Sequence, residues 1–270
     1  MAHFRFAAVG DNCIDRFQPP VSRSLVGGNA VNVAVQLARL GHAAFYFGAV
    51  GEDPDGERTR KALEENGVDT AHLSVRPGIT AYTDIEQTPS GDRIMAYEDF
   101  GVCAGYRPDE AEIAVLKTMD HVHLGWLDDG GALRRRLAAE GVSVSQDISV
   151  NASPENLGVA GLSVAFASAG GRGEGADTLL HDLLEEGAAC AVVTCGDEGS
   201  LARRGGERAE ASITPVEVVD TTGAGDSFIA GFLGAFLAGA PLASCLEAGR
   251  DRAALTCAHV GGFPQQPLPL

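Results

Sequence analysis

The chain has 270 residues, 45% of them hydrophobic and 21% charged, a balance that excludes disorder and gives room for one sizeable core or two small ones. Twenty Lys and Arg against 37 Asp and Glu leave a formal net charge of −17, which repels a phosphate backbone and excludes nucleic acid as the expected partner. No apolar run approaches the roughly 20 residues of a bilayer crossing, and the start, Met1-Ala-His-Phe-Arg-Phe, enters an apolar stretch with no charged leader; no membrane partner and a cytoplasmic location are expected.

In chain order, strands are predicted over 4–9, 44–50, 121–124, 142–146, 162–167 and 190–194. Helical periodicity runs over 30–40, 57–66, 131–140, 176–186, 227–238 and 242–259. This alternation is the pattern of an α/β protein, a mainly parallel sheet with helices on both faces. The interval 79–103 breaks it. Thr, Tyr, Ile and Glu alternate, Pro89-Ser90-Gly91-Asp92 come next, and Arg93-Ile94-Met95-Ala96-Tyr97 resume, which reads as a hairpin.

A second extended stretch, 14–17, leads through Gln18-Pro19-Pro20. Segments 12–26 and 79–103 would together form a small sheet. It is either a lid over the carboxyl ends of the parallel strands, where α/β proteins bind ligands, or a plain β insertion. An apolar outer face from Ile79, Tyr82, Ile85 and Ile94 would pair two lids in a homodimer. With no repeat or linker, residues 1–270 read as one domain carrying this lid. The six cysteines show no C-x-x-C spacing and lie in or beside apolar runs, so reduced, buried thiols are expected.

The most informative segment is Asp220-Thr221-Thr222-Gly223-Ala224-Gly225-Asp226-Ser227. Apolar residues at 228, 229, 232, 233, 236 and 237 start a helix near Asp226, so a glycine loop runs into a helix N-terminus. Its free N–H groups and the helix dipole suit a phosphate-like anion. Asp226 is either a plain N-cap or a base beside that anion hole, taking a proton from a substrate hydroxyl during phosphoryl transfer. No Lys-Ser/Thr comes after the glycines, so this is not a Walker A loop.

Gly27-Gly28-Asn29-Ala30-Val31-Asn32 opens another helix, with Asn29 as its cap and Gly41 as its stop. Asn32 lies one turn in among Val and Ala, where its amide needs partners, either sugar hydroxyls or internal backbone groups.

These two segments, with the strand-rich interval between them, resemble the two signatures of the PfkB carbohydrate kinases. The resemblance spans essentially the whole chain and implies the ribokinase-like fold, a three-layer α/β/α sandwich with a mainly parallel sheet and a small β lid. Gly10-Asp11-Asn12-Cys13-Ile14-Asp15, Phe166-Ala167-Ser168-Ala169 and Gly223 to Leu233 look like the fructoselysine 6-kinase branch. The activity implied by the resemblance is ATP-dependent phosphorylation of a primary hydroxyl of a sugar or sugar derivative. A fructosamine such as fructoselysine is the favoured substrate and a plain sugar such as fructose or ribose the alternative. From another class, a non-catalytic sugar or nucleoside sensor competes.

By the same resemblance Asp226 is the base and the N–H groups of Gly223, Ala224 and Gly225 the anion hole. Asp15, Gly27, Gly28 and Asn32 bind the sugar, and Thr194, Gly196 and Gly199 the nucleotide. Asp220 and Thr222 form a monovalent-cation site; ATP, Mg2+ and K+ are the implied cofactors. Tyr82, Thr83, Arg93, Tyr97 and Glu98 are lid candidates for the distal part of the substrate. The chain departs from the family at Ser168-Ala169-Gly170-Gly171, where N-x-x-E is usual, and at Arg250-Asp251-Arg252, where small or amide residues are common.

Overall fold

The computed structural model describes residues 3–87, 93–151 and 153–270. Its strands are β1 (Arg5–Val9), β2 (Cys13–Phe17), β3 (Arg23–Gly27), β4 (Ala43–Gly51), β5 (Asp69–Arg76), β6 (Tyr82–Gln87), β7 (Arg93–Asp99), β8 (His121–Leu124), β9 (Val144–Asp147), β10 (Val164–Ser168), β11 (Ala191–Thr194), β12 (Ser200–Arg204), β13 (Glu207–Ala211) and β14 (Leu268–Pro269). The helices are α1 (Asn29–Arg39), α2 (Pro54–Glu65), α3 (Glu110–Leu116), α4 (Ala132–Ala139), α5 (Glu174–Glu185), α6 (Ala224–Leu237) and α7 (Leu242–Cys257).

Nine strands form the main sheet in the order β13-β12-β11-β10-β9-β8-β1-β4-β5. All pairs from β11 to β5 are parallel; β12 and β13 add an antiparallel edge. Strand alternation divides the core. Phe6 and Ala8 of β1 pack with α1, α6 and α7, whereas Ala7 and Val9 pack with α3, α4 and α5 on the other face. Strands β1, β4, β10 and β11 therefore carry apolar residues on both faces and read as apolar runs, whereas β8 and β9 place the buried polar side chains His121, His123, Ser145, Gln146 and Asp147 in the centre of the sheet.

A second sheet of five strands has the order β14-β3-β2-β6-β7. Strand β14, at the far end of the chain, was not expected from the sequence. Its pairing with β3 and the two bonds between Gln265 and the Val26 backbone (both 2.8 Å) fasten the C-terminal segment to this sheet. Phe17, Leu25 and Ile85 form its own small core. Ile85 is therefore buried and Tyr82 is partly buried against the main core, so of the expected apolar outer face only Ile79 and Ile94 are exposed, with Tyr97 beside Ile94 and Met95 on the opposite face of β7. The expected turn at Pro89-Ser90-Gly91-Asp92 lies outside the described residues.

Sequence periodicity missed β5, α3, β12 and β13. The α3 signal was present in Asp109-Glu110-Ala111-Glu112: Asp109 and Glu112 form a reciprocal capping box at 2.8 and 2.9 Å. Helix α6 starts at Ala224, two residues before the expected start, so Ala224, Gly225 and Asp226 make up its first turn. Strand β9 extends to Asp147, one residue past the expected end, which brings that carboxylate to the carboxyl edge of the sheet. Among the described residues, no helix is long and apolar enough to cross a membrane.

Candidate active site

Strands β9, β8 and β1 are neighbours at the centre of the main sheet, and the site lies where their carboxyl ends meet the N-termini of α1 and α6. Switch points of this kind are where open α/β sheets bind ligands. Asp226, on the first turn of α6, is held by two side-chain amides of α1. Asn29 Nδ2 donates to its Oδ1 at 2.6 Å and Asn32 Nδ2 to its Oδ2 at 2.7 Å. Despite these donors its pKa is pushed up to about 8, chiefly by loss of hydration, with the negative charges of Asp147 and Asp11 adding to the effect.

Gly223 caps α6 in the left-handed conformation, φ 72°. A methyl group there would lie 2.4 Å from Gly262 Cα, so the loop and the C-terminal segment are in direct backbone contact. Asn32 is 3% exposed and its Oδ1, facing Gly262, is a buried acceptor without a hydrogen-bond partner. Of the three amides expected to form the anion hole, that of Ala224 already donates to Thr221 O at 3.2 Å. Its N–H closes the turn that shapes the loop, leaving Gly223 and Gly225 as the better donors to an anion.

Asp15, in β2, is buried beneath Gly27 and accepts the Cys13 thiol at 3.1 Å. A Cβ on Gly27 would come within 2.6 Å of Asp15 Oδ2, so the carboxylate fits only because residue 27 has no side chain. Gly28, at φ 102°, presses on the Asn12 backbone in the same way. Asp220 and Thr222 are also brought together: Asp220 Oδ1 accepts from Thr222 N at 3.0 Å and Thr222 Oγ1 at 2.8 Å, and Oδ2 accepts from Gly261 N at 3.0 Å. Thr194, Gly196 and Gly199 form a separate group at the end of β11, around the short turn that leads into β12.

Several members of the site were not singled out from the sequence. Asn29 is not a cap: no side-chain cap bond is made at α1, and the capping carboxylate is Asp11, which accepts from Asn29 N at 2.7 Å and Trp126 N at 2.9 Å. Asn29 Nδ2 reaches Asp147 Oδ2 at 3.1 Å as well as Asp226, and its Oδ1 meets His123 Nε2 at 3.1 Å. Burial raises the pKa of both Asp11 and Asp147. The available signal was positional, since Asp11 comes just after the apolar strand β1 and Asp147 is the last residue of β9, both at the carboxyl edge of the sheet.

Similarity to known proteins decides the family. The pfkB family carbohydrate kinase model matches residues 21–125 and 162–267. The chain belongs to the pfkB family of carbohydrate kinases. It is 35% identical over 260 residues to the fructoselysine 6-kinase of Escherichia coli K12, covering 95% of this chain and 98% of that one. It is also 30% identical over 269 residues to a fructosamine kinase of Bacillus subtilis, covering 96% and 93%. Arabidopsis thaliana ribokinase, solved with ribose and ATP, superposes with a TM-score of 0.85 at 22% identity, covering 96% of this chain and 94% of that one. The fold is ribokinase-like, and this pfkB chain is a phosphotransferase acting on a sugar-type acceptor.

Proposed function

We propose that this pfkB kinase transfers the γ-phosphoryl group of ATP to the 6-hydroxyl of a fructosamine, with fructoselysine the favoured acceptor. The observation that carries this reading is Asp226. It stands at the mouth of the glycine loop, held by two amide donors, in a chain 35% identical over its length to fructoselysine 6-kinases.

In this reading the sugar lies against Asp15, Gly27, Gly28 and Asn32, with its hydroxyl on Asp226. As the oxygen–phosphorus bond forms, the bond from the γ-phosphorus to ADP breaks and the hydroxyl proton passes to the Asp226 carboxylate. The Gly223 and Gly225 amides stabilise charge on the transferring group, and the Ala224 amide joins them if it leaves Thr221. Thr194, Gly196 and Gly199 are the nucleotide loop. The carboxylate of Asp220 and the hydroxyl of Thr222 are the oxygen donors a hard monovalent cation needs; K+ there would add positive charge behind the glycine loop. Mg2+ enters with the nucleotide, whose phosphate charge it offsets.

The second sheet acts as the lid. Asp15, Thr83 and Glu98 lie in one cross-strand row, since Thr83 pairs with Asp15 on one side and Glu98 on the other. Residues in register share a face, so Thr83 and Glu98 extend the sugar site outward and Glu98 suits an ammonium group on the acceptor's tail. The exposed Ile94 and Tyr97, opposite Glu86 and Asp84 of β6, lie on one face of the sheet and form the surface on which a second copy pairs. Sedimentation at working concentration is expected to give a dimer; a monomeric mass would remove this part of the reading.

The deciding experiment is ADP release with ATP, magnesium and potassium across fructoselysine, other fructosamines, fructose, ribose and a blank without sugar. Turnover confined to fructosamines is the expected result. Turnover on a plain sugar would keep the kinase and discard the substrate. Silence on every sugar, with ligand-dependent thermal stabilisation, would identify a sensor instead.

A further inference from the structure

Two buried histidines take no part in the phosphoryl transfer itself. His121 and His123 are two apart in β8 and therefore point to the same face of the sheet, the face covered by α1. Ser145 of β9 lies opposite His123 in register, and Ser143 is two residues before it, so the serine hydroxyls fall on that same face. The result is a continuous hydrogen-bonded file through the core. Ser143 Oγ is 2.8 Å from His121 Nδ1, Ser145 Oγ 2.8 Å from His121 Nε2 and 2.9 Å from His123 Nδ1, and His123 Nε2 3.1 Å from Asn29 Oδ1.

The far end of this file fixes its direction. Asn29 faces two carboxylates, Asp226 and Asp147, and only its NH2 group can donate to both. Its Oδ1 is thereby turned to His123, which must carry its proton on Nε2. His123 Nδ1 then accepts from the Ser145 hydroxyl, and Ser145 accepts from His121 Nε2. No other arrangement supplies each of these contacts with one proton. Both imidazoles are neutral, since burial pushes each pKa down to about 3. The groups bearing on Asp226 are Asp11 after β1, Asp147 of β9 and the two amides of α1; those bearing on His123 are His121, Ser145 and the edge of Phe166.

We propose that His123 is a positioning residue for the catalytic base: it grips the Asn29 oxygen so that the Asn29 NH2 group stays on Asp226. An Asn held at only one end can swing away, and Asp226 then loses one of the two donors that favour its ionised, proton-accepting form. The file ends at Asn29, which relays no proton, so its contribution is orientation and tautomer rather than proton transport. This inference rests on the proposed role of Asp226 as base.

The test uses the full chain and the sugar turned over by the native protein, with His123→Leu, His123→Gln and Ser145→Ala compared by kcat, KM, pH profile and melting temperature. His123→Leu is expected to lower kcat roughly 10- to 100-fold, the scale of a small misplacement of a reacting group. Sugar KM should change by less than about threefold, and the acid limb of the profile should move to higher pH. In His123→Gln the amide Nε2 replaces the ring Nε2 as donor to Asn29, and kcat should recover to within about threefold of native. Ser145→Ala, which frees the His123 tautomer, should lie between. A folded His123→Leu protein with native kcat and pH profile would overturn the inference, as would a Gln variant no better than Leu. If the Leu variant fails to fold, a Ser145→Ala protein with native kcat and pH profile overturns it equally. A native protein silent on every sugar would overturn the kinase reading itself, a result distinct from an active native protein indifferent to His123.

Discussion

Asp226→Asn is expected to lower turnover by about 10²- to 10⁴-fold, the range for loss of a positioned general base. The substitution keeps the size of the side chain and removes its basicity; it also turns one of the two accepting oxygens into an NH2 group, so only one of the contacts from Asn29 and Asn32 survives as it stands. The accompanying pH dependence provides an independent check. Asp226 accepts a proton only when ionised, and its pKa is pushed up to about 8. Activity of the native protein should therefore rise with pH through the neutral range, with an acid limb far above that of an ordinary carboxylate near 3.8. The residual activity of the Asn variant should lack that limb. The measurement is kcat/KM across pH 5 to 9 for both proteins, with melting curves to confirm that each is folded. A variant within a few-fold of native activity would remove Asp226 from the chemistry.

Gly223→Ala is expected to cost about 10²- to 10³-fold in kcat, comparable to losing one preorganised donor to a developing charge. The added methyl would meet Gly262 Cα at 2.4 Å, and both partners are backbone, so the loop must move as a unit. The φ of 72° adds about 1–2 kcal/mol of left-handed strain for a residue with a Cβ, and a chain of this size should lose several degrees of melting temperature. Gly225→Ala separates the two effects. Residue 225 lies within the first turn of α6 and a methyl there meets no atom within 4 Å beyond the backbone of its own helix and its chain neighbours. That variant should keep its melting temperature while placing a methyl beside the transferring phosphoryl group, so loss of kcat without loss of stability would assign this face of the loop to the anion. Full activity in both variants would place the anion elsewhere.

Legibility tracked the range of the forces involved. The glycine loop and α6 could be read because a helix start, an apolar stripe and a carboxylate on the first turn are all specified within about four turns of chain. The small sheet was legible from alternation in β2, β6 and β7, whereas β14 was not. Two residues carry no periodicity, and their pairing with β3 depends on a chain reversal 244 residues away, as the Ser24 to Leu268 bond shows. Asn29 could be read as a cap because Asn is a common cap. Its actual partners, Asp226, Asp147 and His123, come from α6, β9 and β8, and no local rule connects them.

The sequence by itself determined the α/β alternation, the second sheet, the two helix-opening glycine segments and the candidate role of Asp226, because backbone sterics, strand and helix periods and helix-end electrostatics act locally; the candidate role of Asp15 came from the resemblance to the PfkB kinases. Only the tertiary structure decided which polar groups share the site. The parallel order β9-β8-β1 sets His123 between Ser145 and Asn29, and packing α1 against α6 brings Asn29 and Asn32 onto Asp226. Loss of hydration and neighbouring charge then give that carboxylate its raised pKa, and both are properties of the assembled core rather than of any segment.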